Sequence, residues 1–435
     1  MCLFRRRKLP KQAPSYAPSQ AWTLNSETAL RKAQDDSSFD LSTSYTVSQS
    51  ELSKESKVSR ETANSSGSTL SLASLKGMLS DGAHIFTYKE LQKLTGNFNP
   101  AKNLGGGTFR GTISGKNVTV IVEKRTCADI DFVTEVKSIC NLHHSSLIKL
   151  IGGCMSGDQS YLVYEYIDGA NLRQCLGSAI APGFTALKAW TERIRVALEV
   201  AKGIEYLHEH ASPPFVHKYI KSSSIILDNE LHARIANVGV ARIRGETATE
   251  PDLAGAREAR QLPRNRSSAR EAQGLHHGRT FGRPRSIKIS GTHGYMAPEY
   301  TQTGVITSKL DVYAFGVVLL EMLSGQEAVK LQRSPGENTV KKTVLPEVIA
   351  AIFSDKDPRT RVREWIDPLL RDNFPLECAC RAALVARKCV LANPDDRPAI
   401  RNVTLSLERI YVASKQWEDN MLASKNLLTS TLTAR

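Results

Sequence analysis

The sequence predicts an α+β fold of two unequal lobes, a small β-rich lobe followed by a larger helical one. Three observations carry this expectation. The chain has 435 residues of which 41% are hydrophobic, enough to bury a sizeable core. A β-branched run, Asn117 to Val122, falls early in the part with a core-like pattern. Long amphipathic stretches of helical period follow it.

Residues 9–84 are rich in Ser, Thr, Gln and Ala, with few aromatics and no sustained periodicity. Such a stretch cannot offset the ordering entropy of folding, so residues 1–84 are expected to form a flexible arm. Its start, Met1-Cys2-Leu3-Phe4-Arg5-Arg6-Arg7-Lys8, lacks the apolar region of a signal peptide. Two readings of Arg5, Arg6, Arg7 and Lys8 stand side by side: contact with an anionic membrane surface, with Cys2 as an acylation candidate, and a solvated basic terminus. No run approaches the roughly 20 apolar residues of a bilayer-spanning helix.

From Ile85 the texture changes, and Phe86-Thr87-Tyr88-Lys89-Glu90-Leu91 opens a helical pattern. The expected division is a folded domain over residues 85–412, with the β-rich lobe at 85–164 and the helical lobe at 165–412. Within it, residues 244–288 are crowded with Arg, Ala, Gly and Pro and read as a basic insertion. Residues 413–435 read as a short polar tail.

The net charge of +14 favours acidic partners and does not choose between nucleic acid, an anionic leaflet and acidic proteins. Eight cysteines without a CxxC pair argue for a reduced chain, and Cys378 and Cys380 have no matching His or Cys pair nearby for a metal.

Chemistry-bearing segments then arrive in a fixed order: His143-His144, Leu162-Val163-Tyr164-Glu165-Tyr166, His217, Gly291-Thr292, Ala297-Pro298-Glu299, Asp311-Val312-Tyr313-Ala314-Phe315-Gly316 and Arg397-Pro398. Together they resemble the bilobal fold of eukaryotic protein kinases. The stretch from Ile85 to Tyr411, about three quarters of the chain, is similar to the intracellular domain of plant LysM-domain receptor-like kinases. Ile204-Glu205-Tyr206-Leu207-His208-Glu209-His210 and Gly294-Tyr295-Met296-Ala297-Pro298-Glu299-Tyr300 carry that likeness.

The resemblance implies structural roles. Glu299 and Arg397 form a buried ion pair, and Asp311 accepts hydrogen bonds from the catalytic-loop backbone, with His217 packed beneath. Glu165 and Tyr166 form the hinge, and Tyr164 guards the back of the nucleotide pocket. It also implies ATP and Mg²⁺ as cofactors, a chitin-like ligand upstream, and activating phosphorylation at Ser290 and Thr292. Arg283, Arg285 and Lys288 stand nearby as phosphate partners.

The chemical positions depart from that pattern. A kinase needs a covering Gly-rich loop, a phosphate-binding Lys, metal ligands and a positioned base. The loop segment Leu104-Gly105-Gly106-Gly107-Thr108-Phe109-Arg110-Gly111 is about four residues short of one that folds over phosphates. Gly105, Gly107 and Gly111 therefore mark, with Glu165 and Tyr166, only a residual nucleotide pocket. Val118-Thr119-Val120-Ile121 puts Ile121 where the Lys belongs, and Lys124 points to the opposite strand face. Glu135 keeps the position of the helix carboxylate that pairs with that Lys and is left without its partner.

In His217-Lys218-Tyr219-Ile220-Lys221-Ser222-Ser223-Ser224, Tyr219 replaces the Asp base, and a phenol with a pKa of about 10 is a poor base at neutral pH. Lys221 is retained. Ser224 and Asn237 replace metal ligands, and a hard cation prefers anionic oxygens. No catalytic constellation is intact.

The leading expectation is a pseudokinase that works by binding, as the inactive partner of an active receptor kinase or co-receptor or as a platform for other signalling proteins. It is expected in the cytoplasm or on the cytoplasmic side of the plasma membrane. One alternative is a weakly active Ser/Thr kinase relying on Lys221, Asn237 and Glu135. Another is a basic scaffold for nucleic acid or lipid, which the scarcity of aromatics among the arginines of 244–288 disfavours for nucleic acid.

Overall fold

Entry into the first lobe is set by a capping box. The Thr87 hydroxyl accepts from the Glu90 N–H at 3.3 Å while the Glu90 carboxylate takes the Thr87 N–H at 2.7 Å, starting helix α1 (Tyr88–Thr95). The structure, a computed structural model, describes residues 82–124, 131–176, 187–246, 289–333 and 340–433. The basic run Arg5–Lys8, most of the arm at 1–84, and 247–288 with Arg283, Arg285 and Lys288 lie outside these residues.

A six-stranded sheet forms the first lobe, in the order β1 (His84–Ile85), β5 (Leu150–Ser156), β6 (Gln159–Glu165), β4 (Lys116–Lys124), β3 (Thr108–Ile113), β2 (Asn103–Gly105). β1 runs parallel to β5 and the other pairs are antiparallel. His84, expected in the flexible arm, is therefore part of the sheet, and its ring meets Phe86 edge-on at 4.2 Å. Strand alternation gives β4 two apolar faces. Val118 and Val120 pack with Phe86, Leu91 and Val163, whereas Ile121 joins the main core with Phe132 and Val136 of helix α2 (Phe132–Cys140).

The second lobe opens with a three-stranded sheet of β7 (Gly169–Asn171), β8 (Ile225–Asp228) and β9 (Ala233–Ile235), beside the short helix α3 (Leu172–Cys175). Helix α4 (Trp190–Glu205) and the short α5 (Val240–Ile243) and α6 (Pro298–Thr303) precede α7 (Ser308–Ser324), in which every residue from Leu310 to Ser324 is buried. A helix apolar all round belongs at the centre of a lobe. A hairpin, β10 (Val329–Arg333) with β11 (Val340–Val344), leads to α8 (Leu345–Phe353), α9 (Pro358–Trp365), α10 (Leu376–Cys389) and α11 (Ile400–Thr433). Helix α10 packs on α7 so closely that a Cβ at Gly316 would sit 2.6 Å from the Cys389 Cβ.

Buried ion pairs brace this frame. Arg397 grips Glu299 through both terminal nitrogens, at 2.7 and 2.6 Å, and Arg193 binds Asp367 at 2.6 Å and the Met322 carbonyl at 2.7 Å. Among the described residues no helix is long and apolar enough to cross a membrane.

Two further boundaries differ from those expected. Arg244, Gly245 and Glu246, read as the start of an insertion, are placed, because the turn of α5 carries them back against the cleft. The expected polar tail is instead the continuation of α11, held because the buried Ser414 hydroxyl accepts the Trp190 indole N–H at 2.8 Å and Glu418 accepts from Thr191 at 3.1 Å. Deleting residues 413–435 leaves that indole N–H unpaired in a buried site, at a cost of about 1–3 kcal/mol. Urea unfolding of the truncated chain is expected at a correspondingly lower midpoint, with Ser414→Ala reproducing part of the loss. Coincident midpoints would make the helix end a bystander.

Candidate functional site

The loop from His217 to Ser224 takes its shape from one carboxylate. Asp311 on α7 is fully buried and accepts the His217 and Lys218 N–H groups, each at 2.7 Å, with His208 Nε2 at 2.9 Å. Lys218 is held at φ 69°, in the left-handed region, by these bonds. The His217 ring has Nε2 2.9 Å from the Ala236 carbonyl and Nδ1 3.2 Å from the Tyr219 N–H, which fixes a neutral tautomer. Burial, the largest influence on this ring, lowers its pKa.

Tyr219 lies inside a polar cluster. Its hydroxyl donates to Glu246 at 2.5 Å and receives Arg244 Nη1 at 3.1 Å. Lys218 Nζ reaches Glu246 at 2.6 Å, and the Ser290 hydroxyl donates to the same carboxylate at 2.7 Å. Burial pushes Glu246 upward, but the bonds from Lys218, Tyr219 and Ser290 more than offset it, so its pKa falls below the ordinary value. Burial and then Glu246 raise the Tyr219 phenol, which moves it further from service as a base at neutral pH.

Ser224 is equally engaged: its Oγ is 2.9 Å from the carbonyl oxygens of Tyr219 and Lys221 and accepts the Lys221 N–H at 3.0 Å. Lys221 Nζ lies 3.2 Å from Thr292 Oγ1. Asn237, at φ 65°, starts the turn into α5, and the buried Tyr164 hydroxyl donates to the Val238 carbonyl at 2.7 Å.

Glu135 has a partner that the sequence did not disclose. Arg242 on α5 pairs with it at 2.9 and 3.0 Å, so the carboxylate expected to stand without a partner takes a cation from the segment after Asn237-Val238-Gly239. Arg244 Nε binds Glu123 of β4 at 2.9 Å. Glu123 shares the strand face of Ile121, two residues away, while Lys124 is exposed.

At the other edge of the cleft, β2 and β3 are joined by the two-residue turn Gly106-Gly107, with φ of 59° and 77°. Positive φ at both positions is the tight hairpin turn that glycine permits. Gly105 ends β2, Gly107 accepts the Val122 N–H at 2.9 Å, and Gly111 faces Val118 across the ladder. Glu165 accepts the Lys149 N–H at 3.0 Å, and the Arg110 guanidinium stacks 4.6 Å over the Tyr166 ring.

These residues do not fit a nucleotide-bound divalent ion. Ser224 is spent on its own loop, Asn237 offers no anionic oxygen, and Ile121 is apolar and buried. Among the described residues no group of three or more His, Cys, Asp or Glu is arranged for a metal.

Two family models match the chain: protein tyrosine and serine/threonine kinase over residues 102–263, and protein kinase domain over residues 272–406. It is 36% identical to a probable serine/threonine-protein kinase of Arabidopsis thaliana, PBL25, over 77% of this chain and 78% of that one. The chain belongs to the protein kinase family. This kinase-family chain is also similar to Arabidopsis Protein LYK5 (32% identity; 98% of this chain, 55% of the relative) and LysM domain receptor-like kinase 3 (31%; 81% and 50%). It thus spans about half the length of those relatives. Among solved structures it resembles the pseudokinase domain of BIR2, an immune regulator of the RLK/Pelle family, with a TM-score of 0.52 and 26% identity over 75% of this chain and 86% of that one.

One titratable group of the kinase fold, Glu321 on α7, was not singled out from the sequence because it lies in an apolar run. It is 2% exposed and accepts from Tyr295 at 2.8 Å and Ser222 at 3.2 Å. Burial raises its pKa from 4.5 to about 7. A carboxyl raised on folding gives stability that is complete below the unfolded value and lost as pH rises through the folded one. Between about pH 5 and pH 8, Glu321→Gln is therefore expected to gain on the order of 2 kcal/mol relative to the parent, read by urea unfolding at each pH. Parallel pH profiles for the two proteins would contradict this.

Proposed function

We propose that this chain is a pseudokinase that signals by binding, as the inactive partner of an active receptor kinase or co-receptor in LysM-type cell-surface signalling. The observation that carries the reading is Tyr219. Its phenol stands at the motif position of the catalytic base and is hydrogen-bonded to Glu246 instead of being open to a substrate hydroxyl. Ile121, Ser224 and Asn237 support it, since none supplies the charge that phosphoryl transfer needs. Likeness to the BIR2 pseudokinase domain supports it further.

In this reading Mg²⁺-ATP is dispensable and the work is done by the surface. Likeness to LysM domain receptor-like kinase 3 and to Chitin elicitor receptor kinase 1 of Physcomitrium patens supports a pathway that begins with a chitin-like ligand, and a place at the cytoplasmic face of the plasma membrane belongs to the same proposal. The basic run Arg5–Lys8 supplies electrostatic attraction to an anionic leaflet in that arrangement. Nucleic acid is not among the proposed partners.

The test pairs thermal melting of the full chain, with and without ATP and Mg²⁺, with a radiolabelled phosphate-transfer assay on a generic basic substrate protein. A ligand that binds only the native state raises the melting temperature by mass action. No melting shift and no transfer are expected. Transfer that disappears with Lys221→Met or Asn237→Ala would overturn the reading in favour of an unorthodox Ser/Thr kinase.

A further inference from the structure

The His143-His144 pair, the first of the ordered motifs, lies in the loop between α2 and β5. That loop is a joint between the lobes. The Ser146 carbonyl accepts the Ile235 N–H at 2.7 Å and the Ile148 N–H donates to the Ile235 carbonyl at 2.9 Å, so the loop is stitched to the end of β9 in the second lobe. It also presses on α4, where a Cβ at Gly203 would sit 3.1 Å from the Ser146 Cβ.

One side-chain bond inside the loop depends on a titratable ring. The Ser146 N–H lies 3.0 Å from His144 Nδ1. A backbone N–H can only donate, so Nδ1 carries the lone pair and the neutral ring keeps its proton on Nε2. Ser146 is 4% exposed, and a buried N–H needs that acceptor. The ring stacks on Tyr206 with centroids 5.2 Å apart, and the Tyr206 hydroxyl accepts the His143 N–H at 3.1 Å. Tyr206 opens the π-helical turn Tyr206–His210 that continues α4, a geometry that recurs at functional sites. The charged and titratable groups facing the ring come from α4 and this turn: His210 and Lys202, which oppose a positive charge on it, and Glu205, which favours one. Burial first, then His210 and Lys202, hold the pKa of His144 below the ordinary histidine value.

We propose that His144 is a proton-operated latch on the joint between the lobes, which opens when Nδ1 takes a proton from solvent. Protonation turns the acceptor into a donor, so the bond to the Ser146 N–H breaks and two N–H groups are set against each other. The ring then leaves Tyr206 for water. The closed loop favours the neutral ring. Its contribution to stability is therefore complete above the ordinary histidine value of about 6.5, and it is lost as pH falls from there through the lower folded value. Within that window the open population rises by up to about tenfold for each pH unit. The proposal does not rest on the binding-only reading, because the joint is built the same way whether or not the fold transfers phosphate.

The test uses the full chain and reads hydrogen exchange by mass spectrometry, with protection corrected for the intrinsic pH dependence of exchange. Between about pH 7.5 and about pH 5.5, protection of residues 141–149 and 206–210 is expected to fall on the order of tenfold, with α7 unchanged. His144→Asn offers a carbonyl oxygen to the N–H two residues on and does not titrate, so it is expected to hold the same protection at both pH values. His144→Ala is expected to be loose at both. By NMR, the imidazole signal that disappears in His144→Asn is expected to show the Nε2–H tautomer and to titrate below about 6.5. Parent protection that does not change with pH would overturn the proposal. A fall that persists in His144→Asn, or an imidazole midpoint at or above the ordinary value, would do the same.

Discussion

The carboxylate of Asp311 is the constraint on which the cleft depends. It sits on a helix that is apolar on every side, where an uncompensated charge is very costly. Three donors converge on it, two of them backbone N–H groups of consecutive residues, and in meeting its demand they fix the path of the loop that carries Tyr219, Lys221 and Ser224. The left-handed backbone at Lys218 is the local cost of that path. None of these bonds involves the side chain of Tyr219, so the scaffold is indifferent to what stands at the position of a catalytic base. Fold and chemistry are separable here because the bonds that shape the loop are made by its backbone.

Around the same helix the second lobe is closed by pairs that reach across long stretches of sequence. Arg193 joins α4 to Asp367, Arg397 joins the start of α11 to Glu299 at the start of α6, and Trp190 joins α4 to Ser414. Each buried cation has several acceptors besides its carboxylate, as Arg397 has the carbonyls of Leu391, Lys309 and Ala392. That extra hydrogen bonding is what lets an ion pair survive burial.

What was legible in the sequence follows from how each feature is encoded. The Thr87–Glu90 capping box and the two faces of β4 are local patterns, so they could be read from adjacent residues. Glu299, Asp311 and Arg397 were legible through the fixed order of motifs, although nothing local announces their contacts. Arg242, Arg244 and Glu246 were missed because two of them fell inside a stretch judged by its composition, and composition reports no pairing. The alternation of charges straight after Asn237-Val238-Gly239 was the available signal. Ser414 and Glu418 were missed for a related reason: they are polar, and a helix end that docks through hydrogen bonds carries little hydrophobic periodicity.

A catalytic cleft leaves polar groups unsatisfied in the free protein so that substrate and metal can complete them. In this chain the corresponding groups are largely engaged with one another, though Glu135 Oε2 is buried without a hydrogen-bond partner. Tyr219 bonds Glu246, Ser224 bonds its own loop, Glu135 bonds Arg242, and Glu123 bonds Arg244. Any ligand entering here must first break bonds that the protein has already made, and it regains only what it can replace. The proposed binding role therefore needs no separate device to suppress chemistry. On that proposal the residues at the positions of a base and of metal ligands also tie the cleft to itself through Glu246, Arg242 and Arg244, and the surface so held is what a partner would recognise.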